Sequence, residues 1–144
     1  MSKMLRDEVV KYYNPANNRN YSCAESMIRA ANDYYQLDLP EEMFYAVGPF
    51  SGGAWHDGMC GGISSSLNVL GILYSVNGHA HDSEVMRRMT IEFLNRVEEK
   101  YGGLHCKYLK RNYYVQGIKC QNVLIGCADI LEEMISQNEI INKR

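Results

Sequence analysis

The chain has 144 residues, 46% of them hydrophobic, and its 15 basic and 17 acidic side chains give a formal charge of -2. That length suits one domain with a real core, assigned to residues 1–144. The even spread of charge offers no basic face to nucleic acid or anionic lipid. No apolar run approaches the roughly 20 residues that span a bilayer, and the opening Met-Ser-Lys-Met-Leu-Arg-Asp-Glu lacks a signal peptide's apolar core, so no membrane insertion and a cytoplasmic location are expected.

Residues 3–13 have helix-forming composition after Ser2, with Leu5, Val9, Tyr12 and Tyr13 at helical spacing, and Asn14-Pro15 ends the pattern. Ser22-Cys23-Ala24-Glu25 reads as a capping box, which puts Cys23 in the first turn of a second helix. That helix carries Met27, Ala31 and Tyr34 or Tyr35 on the stripe that begins at Cys23. Pro40 opens a short helix through Val47, with Glu41 and Glu42 placed favourably against its dipole.

The stretch Gly48–Ser66 follows, dense in glycine and holding the single tryptophan, Trp55, with His56 and Cys60. From Cys60 the residues Ile63, Leu67, Leu70 and Tyr74 continue one helical face to about Asn77-Gly78. A fifth helix starts at Asp82 or Ser83 and shows Met86, Met89, Phe93, Val97 and Tyr101 before Gly102-Gly103. Leu104–Lys110 suggests a short helical turn holding Cys106, followed by a polar, tyrosine-rich connector. The last helix, from about Lys119 to Gln137, sets Cys120, Val123 or Leu124, Cys127, Leu131 and Met134 on one stripe. Strand-like alternation is hard to find, so the expected fold is an all-α bundle of five to six helices with a glycine-rich loop before the central helix. The tyrosine pairs 12–13, 34–35 and 113–114 supply amphipathic bulk for core edges or a homodimer interface.

Five cysteines in a chain read as cytoplasmic argue against a static disulfide framework and leave metal binding, redox chemistry or burial. For each cysteine alone, burial is the favoured explanation. Cys23 and Cys60 share a further property: both fall in predicted first turns, where free backbone donors and the helix dipole lower a thiol pKa. Cys120 and Cys127 are about 10 Å apart along one helix and cannot pair while it persists. No Cys-x-x-Cys, Glu-x-x-His, Walker loop or dinucleotide glycine fingerprint occurs. His56, four residues before Cys60, is a candidate base or ligand as well as an ordinary loop histidine. His79, His81 and Asp82 form a cluster that a solvated turn explains more simply.

The order and spacing of these residues resemble the C_GCAxxG_C_C family of redox-active proteins over roughly residues 20–135. Cys23 in Ser-Cys-Ala-Glu matches the early cysteine, Phe50-Ser51-Gly52-Gly53 and Cys60-Gly61-Gly62-Ile63-Ser64-Ser65 match the loop, and Cys106 and Cys120 match the two later cysteines. Gly62 stands where the family prefers alanine and Ser65 where it prefers glycine, small changes that leave close helix packing feasible, and Cys127 has no counterpart and is read as structural. The module is similar to part of the split-Soret cytochromes, where an iron-sulfur cluster accompanies such cysteines, so the resemblance implies redox or metal function.

These readings place Cys23, Cys60, Cys106 and Cys120 at one site, either cycling between dithiol and disulfide or ligating an iron-sulfur cluster or zinc. Gly61, Gly62 and His56 are the candidate cofactor contacts. The chain would then be a thiol-based oxidoreductase or an electron-transfer protein with an unidentified redox partner. In the thiol version Cys60 is the expected nucleophile, from its helix start and glycine surroundings. The competing expectation is a non-catalytic binding or scaffold protein with packed cysteines, in which the glycine loop and Trp55 shape a small-molecule pocket.

Overall fold

Residues 3–14, 16 and 18–144 are described by a computed structural model. Seven α-helices occur among them: α1 (Leu5–Tyr12), α2 (Cys23–Tyr35), α3 (Glu41–Ala46), α4 (Gly61–Tyr74), α5 (Glu84–Tyr101), α6 (Cys106–Tyr113) and α7 (Gln121–Ser136). Two isolated antiparallel bridges, Met59 with His105 and Val115 with Lys119, are the only extended pairings among the described residues. The all-α expectation therefore holds, with one helix more than the upper estimate. Ser2 and Pro15, expected to flank the first helix, lie outside the described residues.

The central element is α4, which packs on α2, α5 and α7. Its expected stripe is widened by burial of Ser65, Ser66, Val69 and Leu73, so the helix is enclosed on more than one face. Two hydroxyls are taken inside and satisfied: Ser65 Oγ donates to the Ala24 carbonyl at 2.7 Å and Ser66 Oγ to the Gly62 carbonyl at 2.7 Å. Leaving either unpaired would cost about 1–3 kcal/mol.

The stripes read for α5 and α7 are the buried ones. Met89, Phe93, Val97 and Tyr101 of α5 meet the same core as Val123, Leu124, Cys127, Leu131 and Met134 of α7. Glu132 joins three helices, accepting from the Leu5 amide at 2.8 Å and from the Tyr34 hydroxyl at 2.9 Å. Arg6 and Asp129 form a two-pronged ion pair that adds a second tie between α1 and α7. No described helix is long and apolar enough to cross a membrane.

The stretch after Gly103 departs from the short helical turn expected over Leu104–Lys110. It forms α6, which runs to Tyr113 rather than ending near Lys110. Tyr108 and Tyr113 both donate to the Tyr101 carbonyl, at 2.9 and 2.8 Å, so tyrosines anchor α6 on the end of α5. Such long-range ties leave no local periodic signal.

Candidate functional site: four cysteines around one pocket

The capping box at the start of α2 forms as the sequence implies. Ser22 Oγ accepts from the Glu25 amide at 3.2 Å, and a Glu25 carboxylate oxygen accepts from the Ser22 amide at 3.0 Å. Ser51 Oγ then donates to Ser22 Oγ at 2.7 Å, which fastens the glycine loop to this helix end. Cys23 is the first residue of α2 and is half-buried.

Beyond Ser51 the backbone turns left-handed, with φ of +58° at Gly52, +66° at Gly53, +61° at Ala54 and +54° at Trp55. The Gly58 amide closes the turn on the Gly53 carbonyl at 2.8 Å. Glycine is required at 53: an added methyl would lie 2.5 Å from the Gly58 nitrogen and 2.8 Å from Cys106 Cβ. The loop is next pinned by the Met59–His105 bridge. The Cys60 amide donates to the Leu104 carbonyl at 2.9 Å, and the Cys106 amide donates to the Gly58 carbonyl at 2.6 Å. This short pairing carries Cys106 to the Cys60 loop.

Cys60 caps α4 rather than occupying its first turn, and Cys120 caps α7 in the same way. Gly61 lets α4 approach Cys23: a methyl there would sit 2.7 Å from the Phe50 carbonyl oxygen and 2.9 Å from Cys23 Sγ. Gly62 is packed as tightly on the far side, with Leu124 Cδ2 2.2 Å from where a methyl would project. The alanine preferred by the family at this position therefore requires Leu124 to move, a closer fit than the sequence suggested.

Electrostatics separate the sulfurs. The Cys60 thiol donates to Cys23, and this bond is the main force pulling the Cys23 pKa down to about 6. Burial opposes the shift, while the amides of Gly52, Gly62 and Ala24 reinforce it. Ala24 and Gly62 belong to the opening turns of α2 and α4, so two helix N-termini face one sulfur. Cys60 is pushed in the opposite direction, first by holding its proton toward Cys23 and then by burial. Cys60, the expected nucleophile, is 6% exposed, and the bond to Cys23 and its burial both raise its pKa.

Burial is also the leading cause for the other thiols. It raises Cys106 against the opposing pull of Lys110, raises Cys120 to about 11, and raises the fully enclosed Cys127 to about 12. The Cys120 amide meets the Tyr13 hydroxyl at 3.4 Å.

Cys23, Cys60, Cys106 and Cys120 all line one cavity of about 440 Å³, and Cys127 does not. Trp55 and the Ser51-Gly52 backbone form part of its wall. His56 is exposed and outside the lining. Lys110 and Lys119, which no sequence motif singles out, are also on the lining. Lys110 lies in α6, four residues after Cys106, and Lys119 in the connector just before Cys120, and only their charge near a cysteine marks them in the sequence. Among the described residues no three His, Cys, Asp or Glu side chains are grouped to hold a metal ion. The sulfurs as placed have the softness that zinc or an iron-sulfur cluster asks for, without the grouping of a ligand set.

The site is a helical-bundle pocket lined by four cysteines, with the Cys23 and Cys60 thiols side by side. Residues 21–134 match the family model described as "Putative redox-active protein (C_GCAxxG_C_C)", and the chain belongs to that family. Comparisons with curated proteins and with solved structures give no match.

Proposed function

We propose that the protein is a thiol–disulfide oxidoreductase in which Cys23 attacks and Cys60 resolves. The observation that carries this reading is the hydrogen-bonded Cys23–Cys60 pair, with the lowered pKa on the half-buried sulfur. Held below the ordinary thiol range by that bond, the Cys23 thiol is ionised to a larger extent than a free cysteine at pH 7. Its nucleophilicity is then close to the optimum for attack at that pH.

Each step follows from the pair. The Cys23 thiolate attacks one sulfur of a substrate disulfide, forming a Cys23–substrate bond as the substrate S–S bond breaks. The departing thiolate takes up the Cys60 proton, which no longer has a charged sulfur to bond. The Cys60 thiolate attacks Cys23 Sγ, closing a Cys23–Cys60 disulfide and expelling the second substrate thiolate, which is protonated from water. The protein dithiol loses two electrons and the substrate disulfide gains them. Cys106 and Cys120, protonated at neutral pH by their raised pKa values, stand by as further thiols on the same wall.

The packed-cysteine alternative accounts for Cys127, enclosed and strongly protonated, and gives no role to the bond between Cys23 and Cys60. The test is to react fully reduced protein with a small disulfide, quench with acid and locate the bonds by peptide mass spectrometry. A Cys23–Cys60 disulfide is expected, with a mixed disulfide on Cys23 accumulating in Cys60→Ser. Mixed disulfide confined to Cys106 or Cys120, or no bond formed at all, overturns the assignment.

A further inference from the structure

The geometry points to the substrate as a small-molecule disulfide bearing carboxylates, bound in the four-cysteine pocket, an inference that rests on the dithiol reading. Cys23 is half-buried on the wall of a cavity of about 440 Å³ and not on a raised surface. A recess of this volume suits a compact ligand in the usual size range of small-molecule sites better than a disulfide held in the surface of a folded protein.

The lining supplies an apolar body and a polar rim. Leu109, Val123 and Leu124 provide the first, and Lys110 and Lys119, both exposed, provide the second. Neither lysine is ion-paired to a carboxylate among the described residues. Lys110 is close enough to bond the Cys106 thiol, which fixes where its charge lies. Glu25 is the one acidic residue on the lining, and its carboxylate is engaged by the Ser22 amide. Two cations therefore remain for a ligand's anionic ends, and they flank the sulfurs from α6 and from the connector into α7. A carboxylate held by either lysine orients the ligand's S–S bond toward Cys23. The redox step is the exchange already written, with this disulfide as oxidant.

The test compares single-turnover reaction of reduced protein with glutathione disulfide, which is anionic, and with the neutral bis(2-hydroxyethyl) disulfide, followed by loss of thiolate ultraviolet absorbance. In the Lys110→Gln/Lys119→Gln double variant the glutathione disulfide rate is expected to fall about tenfold, as two exposed charge pairs allow. The neutral disulfide rate should change less than twofold. Added salt should slow only the wild-type reaction with the anionic probe. Binding of glutathione disulfide to Cys23→Ser, read from the fluorescence of Trp55 in the same wall, should weaken by a similar factor on adding the lysine changes. Equal sensitivity of both probes to the lysines, or no effect on either, overturns the substrate class and leaves the dithiol assignment standing. Failure of both disulfides to react with the wild type removes the dithiol reading, and this inference with it.

Discussion

Replacing Cys60 by alanine removes the proton donor to Cys23 and almost nothing else, since Cys60 Sγ is otherwise a small buried group. A hydrogen bond to a charged acceptor contributes about 1.5–3 kcal/mol. At 1.36 kcal/mol per pKa unit, its loss should raise the Cys23 pKa by about one to two units from about 6. The remaining amides of Gly52, Gly62 and Ala24 should keep it below that of an ordinary thiol. The assay is the pH profile of iodoacetamide alkylation at Cys23, quantified by peptide mass spectrometry. The midpoint is the readout, because intrinsic nucleophilicity rises with pKa and partly offsets the lost ionisation in any single rate. Cys60→Ser, which keeps a donor, should lie between the wild type and Cys60→Ala. A wild-type midpoint near 8.5–9, or identical midpoints in wild type and Cys60→Ala, would refute the claim that one sulfur sets the charge of the other.

Four further outcomes are expected. The Cys23 pKa is lower in the folded than in the unfolded chain, so between about pH 6 and 8.5 the unfolded state binds more protons and stability rises with pH. Unfolding free energies from urea titrations under reducing conditions should climb by up to about 1.4 kcal/mol per pH unit in that window, with the gain complete above it and lost as pH falls through 6; Cys23→Ser should flatten the climb. Above about 8.5 the raised Cys60 pKa works with the opposite sign, and stability should decline. Gly61→Ala, which drives a methyl to 2.7 Å from a backbone oxygen, should cost about 1–3 kcal/mol in urea unfolding. Gly71→Ala has its nearest neighbour at 4.0 Å and should instead stabilise α4 by about 0.5–1 kcal/mol. Cys127→Ala should lower stability by about 1–2 kcal/mol and leave the Cys23 alkylation midpoint unchanged, since that sulfur only fills the core.

What the sequence made legible was whatever depends on near neighbours. The Ser22–Glu25 cap and the stripes of α5 and α7 follow from spacings of three or four residues, the glycine loop before α4 follows from local composition, and the structural role of Cys127 follows from the family resemblance. The choice between Cys23 and Cys60 did not, because both read as helix starts. It turns on a bond between residues 37 positions apart in the chain, and on which sulfur the core encloses. Cys106 carried no local signal for its place either, since a two-residue bridge to the Cys60 loop puts it there. The place of Lys110 and Lys119 on the pocket was unreadable for a related reason: it depends on separate segments closing around one cavity.

The left-handed turn at 52–55 has a stereochemical consequence. Ala54 and Trp55 are L-residues holding φ values natural to their mirror images. A chain assembled by chemical ligation with D-alanine at position 54 would find there its preferred conformation, so the side chain beside the pocket wall could be inverted without redirecting the backbone that delivers Gly58 and Cys60. Chirality at that point is separable from the fold, and the loop is a place where a mirror-image residue can be set beside the sulfur chemistry as a protease-resistant handle.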